Sequence, residues 1–511
     1  LLIVGAGLSG IGAACHLQRE CPDKRYAIVE ARETIGGTWD LFRYPGVRSD
    51  SDMYTLGYDF KPWKDAKAIA DGPAILRYIR ETADEHGVTP HIRFGQRVVA
   101  ADWDSRAALW RVRLKAVAGG EEHMVEARFL YLCSGYFRYD RGHRPSFEGE
   151  ADFRGSIVHP QFWPESLDWA GRRVVIVGSG ATAVTLVPAM ARGDAGAAHV
   201  TMLQRSPTYV VSIPEKDPIA NSMRRFLPEK LVYRVTRAKN VSLTLGFFNL
   251  AKKRPKPIRR LLLAQVRAQL GKNVDMKHFT PDYNPWDERL CAVPDGDLFK
   301  TLRKGKGSVV TDHIDTFTET GIQLKSGQHL DADIIITATG LDLQILGGMQ
   351  VKVDGKPVDM TQRLNYKGIM FEGLPNIAMI FGYTNASWTL KADISSEYVC
   401  RLLKTMDKKG MRQCTPRNTD PSVVPESFVD MRSGYIQRAL AKLPKQGNKA
   451  PWKVYMNYFL DLPMLRYSTI EDGSMELSHP ASAPRAKAKA ARDEALRQDP
   501  DSKEARDLAI P

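Results

Sequence analysis

Residues 1–10 read LLIVGAGLSG, a short apolar run that leads directly into the glycine pattern GxGxxG. This pattern predicts a strand, a tight turn at Gly5 and a helix that packs closely on the strand at Gly10. Gly7 would let a pyrophosphate approach the backbone, beside Ser9. The free N–H groups at the helix N-terminus would face the phosphates. The stretch therefore predicts a dinucleotide site at the start of the chain.

A second feature of this site is the acid that ends the next apolar run. Residues 26–30 end in Glu30, where a carboxylate can accept hydrogen bonds from both ribose hydroxyls of a dinucleotide. The alternative is that residues 5–10 form a glycine turn that binds no ligand. The presence of Glu30 at the end of the next strand argues against this alternative. A further glycine pair follows at Gly36 and Gly37, which is typical of FAD-binding folds rather than of simple NAD domains. We therefore predict that this first site binds FAD.

The same supersecondary unit occurs again at residues 174–183, which read VVIVGSGATA. The repeat gives the βαβ rhythm of a parallel, doubly wound sheet, so we predict an α/β fold with two Rossmann-like dinucleotide-binding domains. The predicted cofactor contacts of the second turn are Gly178, Ser179, Gly180, Ala181 and Thr182.

The second unit differs from the first at the end of its next strand. Arg205 and Ser206 stand where the first unit has its acid. A carboxylate there would repel a 2′-phosphate, whereas an arginine and a hydroxyl can bind one. The second site is therefore predicted to prefer NADPH over NADH, although a surface arginine without a ligand is the alternative.

Two further apolar runs end in glycine, at residues 129–135 and 332–340. We interpret both as strands that return the chain to a nucleotide domain and end against a cofactor, the second at Thr339 and Gly340. The second domain is then inserted in the first, with a helical insertion of its own. The predicted boundaries are 1–140 for the first part of the FAD domain, 141–213 and 286–331 for the NADP domain, 214–285 for the helical insertion, 332–480 for the second part of the FAD domain, and 481–511 for a charged, disordered tail.

Composition narrows the functional classes. The chain has 511 residues, a net charge of +14 and six cysteines, and no cysteine pair has CxxC spacing. A basic balance suits an anionic ligand or surface, but no zinc-finger or RNA-binding pattern accompanies it, so nucleic acid is not predicted. The scattered thiols suggest a reducing, cytoplasmic location and exclude a dithiol reductase. No metal site is predicted.

The basic excess concentrates in the helical insertion. Basic residues precede and follow the apolar run at 241–250. One interpretation is a helical hairpin that contacts an anionic membrane surface peripherally. The other is a solvated basic face over an apolar tunnel for a lipophilic substrate.

Residues 36–50 read GGTWDLFRYPGVRSD. They resemble the GGxWxxxxYPGxxxD signature of type I Baeyer–Villiger monooxygenases. The resemblance implies that Gly37, Thr38 and Trp39 contact the flavin. It also implies that Asp50 lies beside the flavin and the catalytic arginine. A helix-capping carboxylate is the alternative for Asp50, and Tyr54 is a further predicted cofactor contact.

Residues 153–164 read FRGSIVHPQFWP, which resembles the family fingerprint FxGxxxHxxxWP at each fixed position. The segment is expected to connect the two domains. His159 is expected to have a structural and conformational role there rather than to transfer protons. The fingerprint residues are Phe153, Gly155, His159, Trp163 and Pro164.

Residues 283–290 read YNPWDERL. In the family, an arginine followed by leucine near this point reaches the flavin, so the resemblance carries that catalytic role to Arg289. The guanidinium would stabilise negative charge during the reaction, and Asp50 would orient it by a bidentate bond. An ordinary ion pair of Arg289 with a neighbouring acid is the alternative. Many members of the family have a lysine just before this arginine, where it helps to bind the 2′-phosphate, but this chain has Glu288. The NADPH preference would then depend on Arg205 and Ser206.

The resemblance covers the chain to about residue 467 and is closest to the mycobacterial ethionamide-activating branch. It implies a monooxygenase that uses FAD, NADPH and O₂ on a small lipophilic ketone or sulfur compound. It also implies that the loop at 382–390, including Leu390, closes over the flavin. A heteroatom (S or N) monooxygenase and an electron-transfer reductase remain as alternatives.

Overall fold

The computed structural model describes residues 1–272, 274–429, 431 and 433–480, so the predicted tail at 481–511 lies outside the described residues. Two five-stranded sheets dominate the fold. All strand pairs in both are parallel. The first sheet has the order Ile377–Met379, Leu130–Leu132, Leu2–Val4, Ala27–Val29 and Ile92–Arg93.

The second parallel sheet repeats this arrangement around its own glycine turn. The predicted α/β fold with two Rossmann-like units is therefore confirmed. The strand order is Gly307–Thr311, His199–Gln204, Arg173–Val177, Ile334–Thr337 and Ser156–Val158.

One domain boundary needs correction. Strand Ile334–Thr337 pairs in parallel with Arg173–Val177 and with Ser156–Val158, so it belongs to the second sheet. The prediction that the chain has returned to the first domain at residue 332 is wrong for this strand. An apolar run that ends in glycine suits either sheet, and the pairing partner decides between them.

The remaining strands form smaller sheets. A five-stranded sheet contains Lys356–Pro357, Gln350–Val353, Gln96–Asp104, Leu109–Ala116 and Glu122–Ala127. A three-stranded sheet contains Ile314–Thr318, Gly321–Leu324 and His329–Asp331. The two-stranded pairs are Val210–Ile213 with Cys291–Pro294, Phe137–Gly142 with Leu341–Leu343, Asn365–Tyr366 with Met370–Phe371, Gln413–Pro416 with Met475–Ser478, and Pro425–Ser427 with Lys445–Gly447.

Helices cover both parallel sheets and fill the segment predicted as a helical insertion. The α-helices are Leu8–Glu20, Thr38–Leu41, Met53–Leu56, Gly72–Glu85, Ala181–Met190, Pro218–Met223, Glu229–Lys253, Pro255–Gln269, Asp297–Arg303, Trp388–Lys408, Gly434–Ala439 and Tyr458–Arg466. The 3-10 helices are Thr89–His91, Glu150–Asp152, Pro160–Phe162, Met276–Phe279, Ile345–Gly348, Met360–Gln362 and Leu440–Lys442. Within the part of the chain that the structure describes, no helix is both long and apolar enough to span a membrane.

A buried polar contact fixes the long insertion helix, Glu229–Lys253, against the first domain. The guanidinium of Arg237 donates to the carbonyl oxygens of Tyr54 (2.9 Å) and Gly57 (2.7 Å), and to the carboxylate of Asp393 (3.0 Å). A buried charge is stable only when such partners surround it. The insertion is therefore anchored to the segment at 54–57 and to the helix Trp388–Lys408.

Candidate active site

The first glycine turn lines a cavity of about 370 Å³ at the carboxyl edge of the first sheet. Gly5 has a φ of +102°, and a Cβ there would lie 2.7 Å from the carbonyl oxygen of Cys133. A Cβ on Gly10 would lie 1.8 Å from the carbonyl oxygen of Gly5. The turn and the helix can therefore pack this closely only with glycine at both positions. No side chain caps the following helix, so its first N–H groups are available to a phosphate.

Glu30 lies at the wall of this cavity, as predicted. Its carboxylate is 7% exposed and accepts hydrogen bonds from the backbone N–H groups of Ala6 (2.7 Å) and Arg32 (2.9 Å). Burial raises the pKa of Glu30, and these N–H donors offset part of that effect. Each carboxylate oxygen can accept further hydrogen bonds, so the group is placed to accept from ribose hydroxyls.

Several cavity residues were not predicted from the sequence. Trp388 donates from Nε1 to Ser9 Oγ (2.7 Å) and stacks on Tyr136, with ring centroids 5.0 Å apart. Tyr139 pairs with Thr38 through their hydroxyls (3.1 Å). Tyr136 and Tyr139 follow a strand predicted to end against a cofactor, so the aromatic residues after that strand were the available signal.

Asp50 and Arg289 meet at the inner end of the cavity. Their side chains form an ion pair, with Arg289 Nη2 3.7 Å from Asp50 Oδ2, rather than the bidentate bond that was expected. Burial raises the pKa of Asp50, and the charge of Arg289 opposes this rise. Burial lowers the pKa of Arg289, but Asp50, Tyr136 and Tyr435 together raise it by more, so the guanidinium remains charged.

A second cavity, of about 500 Å³, begins where the first one ends. The two cavities share Asp50, Ser51, Arg289 and Ala386. The second has mainly apolar walls, which come from the insertion helix, from the strand pair beside it and from the loop at 382–390. Its apolar lining residues include Val211, Ile213, Val241, Leu245, Phe247 and Leu290.

The second glycine turn is more open than the first. A Cβ on Gly178 would lie 2.3 Å from the carbonyl oxygen of Ala338, but a Cβ on Gly180 would contact nothing. Ser179 Oγ lies 3.5 Å from the carbonyl oxygen of Ser206, and Arg205 is exposed. A free helix N-terminus and an exposed arginine are therefore on the same edge.

The fingerprint segment contributes the strand Ser156–Val158 to the second sheet, and the predicted role as a connector of the two domains stays a prediction. His159 Nε2 lies 3.3 Å from the carbonyl oxygen of Gly340, and Nδ1 accepts from the N–H of Gln161 (3.2 Å). Burial lowers the pKa of His159, which agrees with a neutral ring that donates through Nε2. Trp163 packs against the core of the second sheet, and a Cβ on Gly155 would lie 2.2 Å from the carbonyl oxygen of Asp333.

The predicted contacts divide into three groups. Leu390 lines the second cavity. The predicted residues that line neither cavity are Gly10, Tyr54, Gly178, Ser179, Gly180, Arg205, Ser206, Thr339 and Gly340. Tyr54 is fully buried and packs on Tyr233 of the insertion helix, with ring centroids 6.0 Å apart, so the structure does not place it as a cofactor contact. The predicted residues that line the first cavity are Gly5, Gly7, Ser9, Glu30, Gly37, Thr38, Trp39, Asp50, Ala181, Thr182 and Arg289.

Two glycine turns on two parallel sheets, one followed by an acid and the other by an arginine, define an oxidoreductase with two dinucleotide sites. Residues 3–67 match a family model described as an NAD(P)-binding Rossmann-like domain. The chain is 52% identical to the FAD-containing monooxygenase EthA of Mycolicibacterium smegmatis over 94% of this chain and 96% of that protein. It is 51% identical to EthA of Mycobacterium tuberculosis over 94% of this chain and 97% of that protein.

The solved structure of an oxidised steroid monooxygenase bound to NADP has the same fold, with a TM-score of 0.73 and 22% identity over 94% of this chain and 99% of that chain. The chain belongs to the family of FAD-containing monooxygenases that includes EthA. The predicted family, the predicted enzyme class and the predicted FAD cofactor are confirmed by this relationship.

Proposed function

We propose that this monooxygenase uses NADPH and O₂ to insert one oxygen atom into a lipophilic ketone, which gives an ester. The balanced reaction is ketone, O₂, NADPH and one proton to ester, NADP⁺ and water. The second O₂ atom leaves as water, and NADPH supplies the two electrons that this requires. Soft sulfur compounds are a second substrate class for the same site.

The observation that carries this proposal is the junction of the two cavities at Asp50 and Arg289. The first cavity has the glycine turn and the ribose acid that a dinucleotide needs. The second has the apolar walls that a lipophilic substrate needs. The charged pair is among the residues that the two cavities share, where cofactor and substrate would react.

The residues of the first cavity fit FAD. Its pyrophosphate would lie on the turn at Gly5 and Gly7, and a ribose would donate to Glu30. A Cβ at Gly5 would collide with the neighbouring strand, so the turn is built for close approach. Reduced FAD, when bound, supplies the chemistry that activates O₂.

The second turn supports NADPH as the electron donor. Arg205 and Ser206 would offer a cation and a hydroxyl to the 2′-phosphate, and the exposed turn would allow the nucleotide to enter and leave. Solved structures of the same fold have been determined with NADP and with FAD.

Arg289 and Asp50 would have electrostatic roles in the reaction. The guanidinium would stabilise negative charge on the oxygen that attacks the carbonyl carbon. Asp50 would hold the guanidinium in place and prevent it from leaving an uncompensated charge in the site.

The test is the ratio of ester formed to NADPH oxidised. Ketone-dependent NADPH oxidation that yields nearly one ester per NADPH supports the proposal. NADPH oxidation that ignores the ketone and reduces an added electron acceptor would instead support a reductase. Oxidation of a thioether but of no ketone would support a heteroatom monooxygenase.

We further propose that the helical insertion contacts an anionic membrane surface at the mouth of the second cavity. Leu243 lines that cavity and is 65% exposed, and Phe226, which precedes the long insertion helix, is 83% exposed. Basic side chains that are exposed in the same segment include Arg225, Lys230, Arg234, Lys252 and Lys253. Exposed apolar side chains among cations suit the boundary of an anionic bilayer, from which a lipophilic substrate could enter.

Co-sedimentation with vesicles tests this contact. The protein should bind vesicles that contain phosphatidylglycerol but not vesicles of phosphatidylcholine alone, and salt should weaken the binding. Phe226→Ser should reduce binding, whereas Met124→Ser, at an exposed position on another sheet, should not. Equal binding to both vesicle types, or no binding, would contradict the proposal.

A further inference from the structure

The second cavity has two distinct ends. One end shares Asp50 and Arg289 with the first cavity, and the reaction would take place there. The other end opens to solvent, because side chains that line it are largely exposed. They include Lys216, Ile219 (54% exposed) and Leu243 (65% exposed). A long substrate whose ketone reaches the ion pair would therefore extend towards these exposed side chains.

A polar contact places Lys216 at this open end. Lys239 and Leu243 lie one turn apart on the insertion helix, and both line the cavity. Lys239 Nζ donates to the carboxylate of Asp217 (2.6 Å), which lines the cavity as well. Lys216 precedes Asp217 in the chain. The contact thus holds Lys216 and Leu243 at the same end of the cavity.

The cations that line the second cavity differ in their partners. They are Lys216, Lys239 and Arg289. Lys239 pairs with Asp217 (2.6 Å), and Arg289 pairs with Asp50 (3.7 Å). Lys216 forms no ion pair with any residue that the structure describes. Its positive charge is therefore the one in this lining that a ligand could neutralise.

The acids near Lys216 already have other partners. Glu215, the preceding residue, pairs with Lys67 (2.8 Å). Asp52, which also lines the cavity, accepts hydrogen bonds from the backbone N–H of Thr55 (3.1 Å) and from its hydroxyl (3.0 Å). These contacts hold the carboxylates away from Lys216. The open end of the cavity therefore offers a cation to an anionic group.

We infer that the preferred substrate is a long-chain oxo acid, with its ketone beside Arg289 and its carboxylate paired with Lys216. This inference rests on the proposed function and names its substrate class. Buried apolar side chains of the lining, such as Val241 and Leu245, would cover the methylene chain. A carboxylate deeper in the cavity would lose its hydration without gaining a cation, so the charge belongs at the open end.

The first experiment compares 10-oxoundecanoate with its neutral amide, 10-oxoundecanamide, in buffer without vesicles. The two ketones have the same length and differ in charge. With Lys216→Gln, kcat/KM should fall about three- to fivefold for the oxo acid and less than about twofold for the amide, because an exposed ion pair is weak. Lys216→Arg should behave as the wild type. Lys356→Gln, at an exposed position that lines neither cavity, is the matched control and should change neither value. Equal changes for both ketones with Lys216→Gln, or no change for the oxo acid, would overturn the inference.

Charge reversal gives a sharper test of the same contact. Lys216→Glu should lower kcat/KM further for 10-oxoundecanoate, because two negative charges would then meet. It should raise kcat/KM above the wild-type value for 11-aminoundecan-2-one, a ketone that ends in an ammonium group. Added salt should weaken both effects. A parallel change for the two charged ketones would contradict the contact.

A binding measurement separates this inference from the proposed function. In calorimetric titrations of the FAD-loaded enzyme without NADPH, the wild type should bind 10-oxoundecanoate more tightly than the amide. The two Kd values should become similar in Lys216→Gln. Similar values in the wild type would overturn the inference. Failure of the wild type to form an ester from any ketone, charged or neutral, would instead refute the proposed function, so the two failures can be told apart.

Discussion

The two glycine turns have the same sequence pattern and the same place in their sheets, but their surroundings differ. The first turn ends at Gly10, and the second has Ala183 at the corresponding position. The strand after the first turn ends at the buried Glu30, whereas the strand after the second ends at the exposed Arg205. One motif thus provides an enclosed site in the first domain and an open site in the second.

This difference shows how one supersecondary unit can serve two kinds of cofactor. An enclosed site with a buried carboxylate suits a cofactor that stays bound through many turnovers. An open site with an exposed cation suits a cofactor that must enter and leave in each cycle.

The largest expected effect is on the close packing of the first turn. Gly10→Ala places a Cβ 1.8 Å from the carbonyl oxygen of Gly5. It should lower the free energy of unfolding by about 2–4 kcal/mol and cause loss of bound FAD. Gly180→Ala, whose Cβ contacts nothing, should stay within about 0.5 kcal/mol of the wild type. Denaturant unfolding and the flavin absorbance of the purified proteins measure both effects, and similar losses in the two variants would remove the distinction.

The second prediction concerns the ribose acid. Glu30→Gln keeps the shape of the side chain but replaces the charged carboxylate, which accepts hydrogen bonds from the N–H groups of Ala6 and Arg32 and would accept one from the ribose. The Kd for FAD should rise about 10- to 100-fold, because hydrogen bonds to a charged group are worth about 1.5–3 kcal/mol. The KM for NADPH should not change. Fluorescence titration of the apoprotein with FAD measures this, and an unchanged Kd would show that Glu30 is only a structural acid.

The third prediction concerns the open site. Arg205→Ala should raise the KM for NADPH about tenfold and leave the KM for NADH unchanged, because only NADPH carries the 2′-phosphate. The Kd for FAD is the internal control. A parallel rise for NADPH and NADH would mean that Arg205 does not contact the 2′-phosphate.

The smallest expected effect is the pH dependence of stability that comes from His159 in the fingerprint segment. Burial lowers the pKa of His159 below its ordinary value, so the folded protein favours the neutral ring. Its stabilising contribution is present above about pH 6.5 and is lost as the pH falls towards the lowered pKa. Between pH 7.5 and pH 5.5 the Tm of the wild type should fall more than that of His159→Asn, by the equivalent of about 1 kcal/mol or less. Identical falls would show that His159 does not titrate in this range.

The sequence was most informative where function depends on local spacing. Gly5, Gly10 and Glu30 lie within one βαβ unit, so their geometry follows from residues that are close in the chain. Arg205 was found by comparison of that unit with its repeat. The strand at 334–337 was assigned to the wrong sheet because its apolar pattern suits both sheets, and only long-range pairing distinguishes them.

Other parts of the site depend on contacts between distant segments. The approach of Asp50 to Arg289 was predicted only from a family resemblance, because nothing in their spacing brings them together. The second cavity forms between the insertion helix and a loop far along the chain. The apolar run at 241–250 indicated one of its walls, through the interpretation as an apolar tunnel, but no local pattern indicated which distant segments complete the cavity. Tyr54 was predicted as a cofactor contact, but it packs on Tyr233 of the insertion helix.

The most direct test of the central claim is the product balance of Arg289→Ala compared with the wild type and Arg289→Lys. If cofactor and substrate react beside the shared ion pair, Arg289→Ala should retain FAD, but its rate of ester formation should fall by at least about 100-fold. The O₂ that it still consumes should appear as hydrogen peroxide. Arg289→Lys should retain part of the activity, because it keeps the charge but not the planar fork. Ester formation by Arg289→Ala at the wild-type ratio of ester to NADPH would contradict the account.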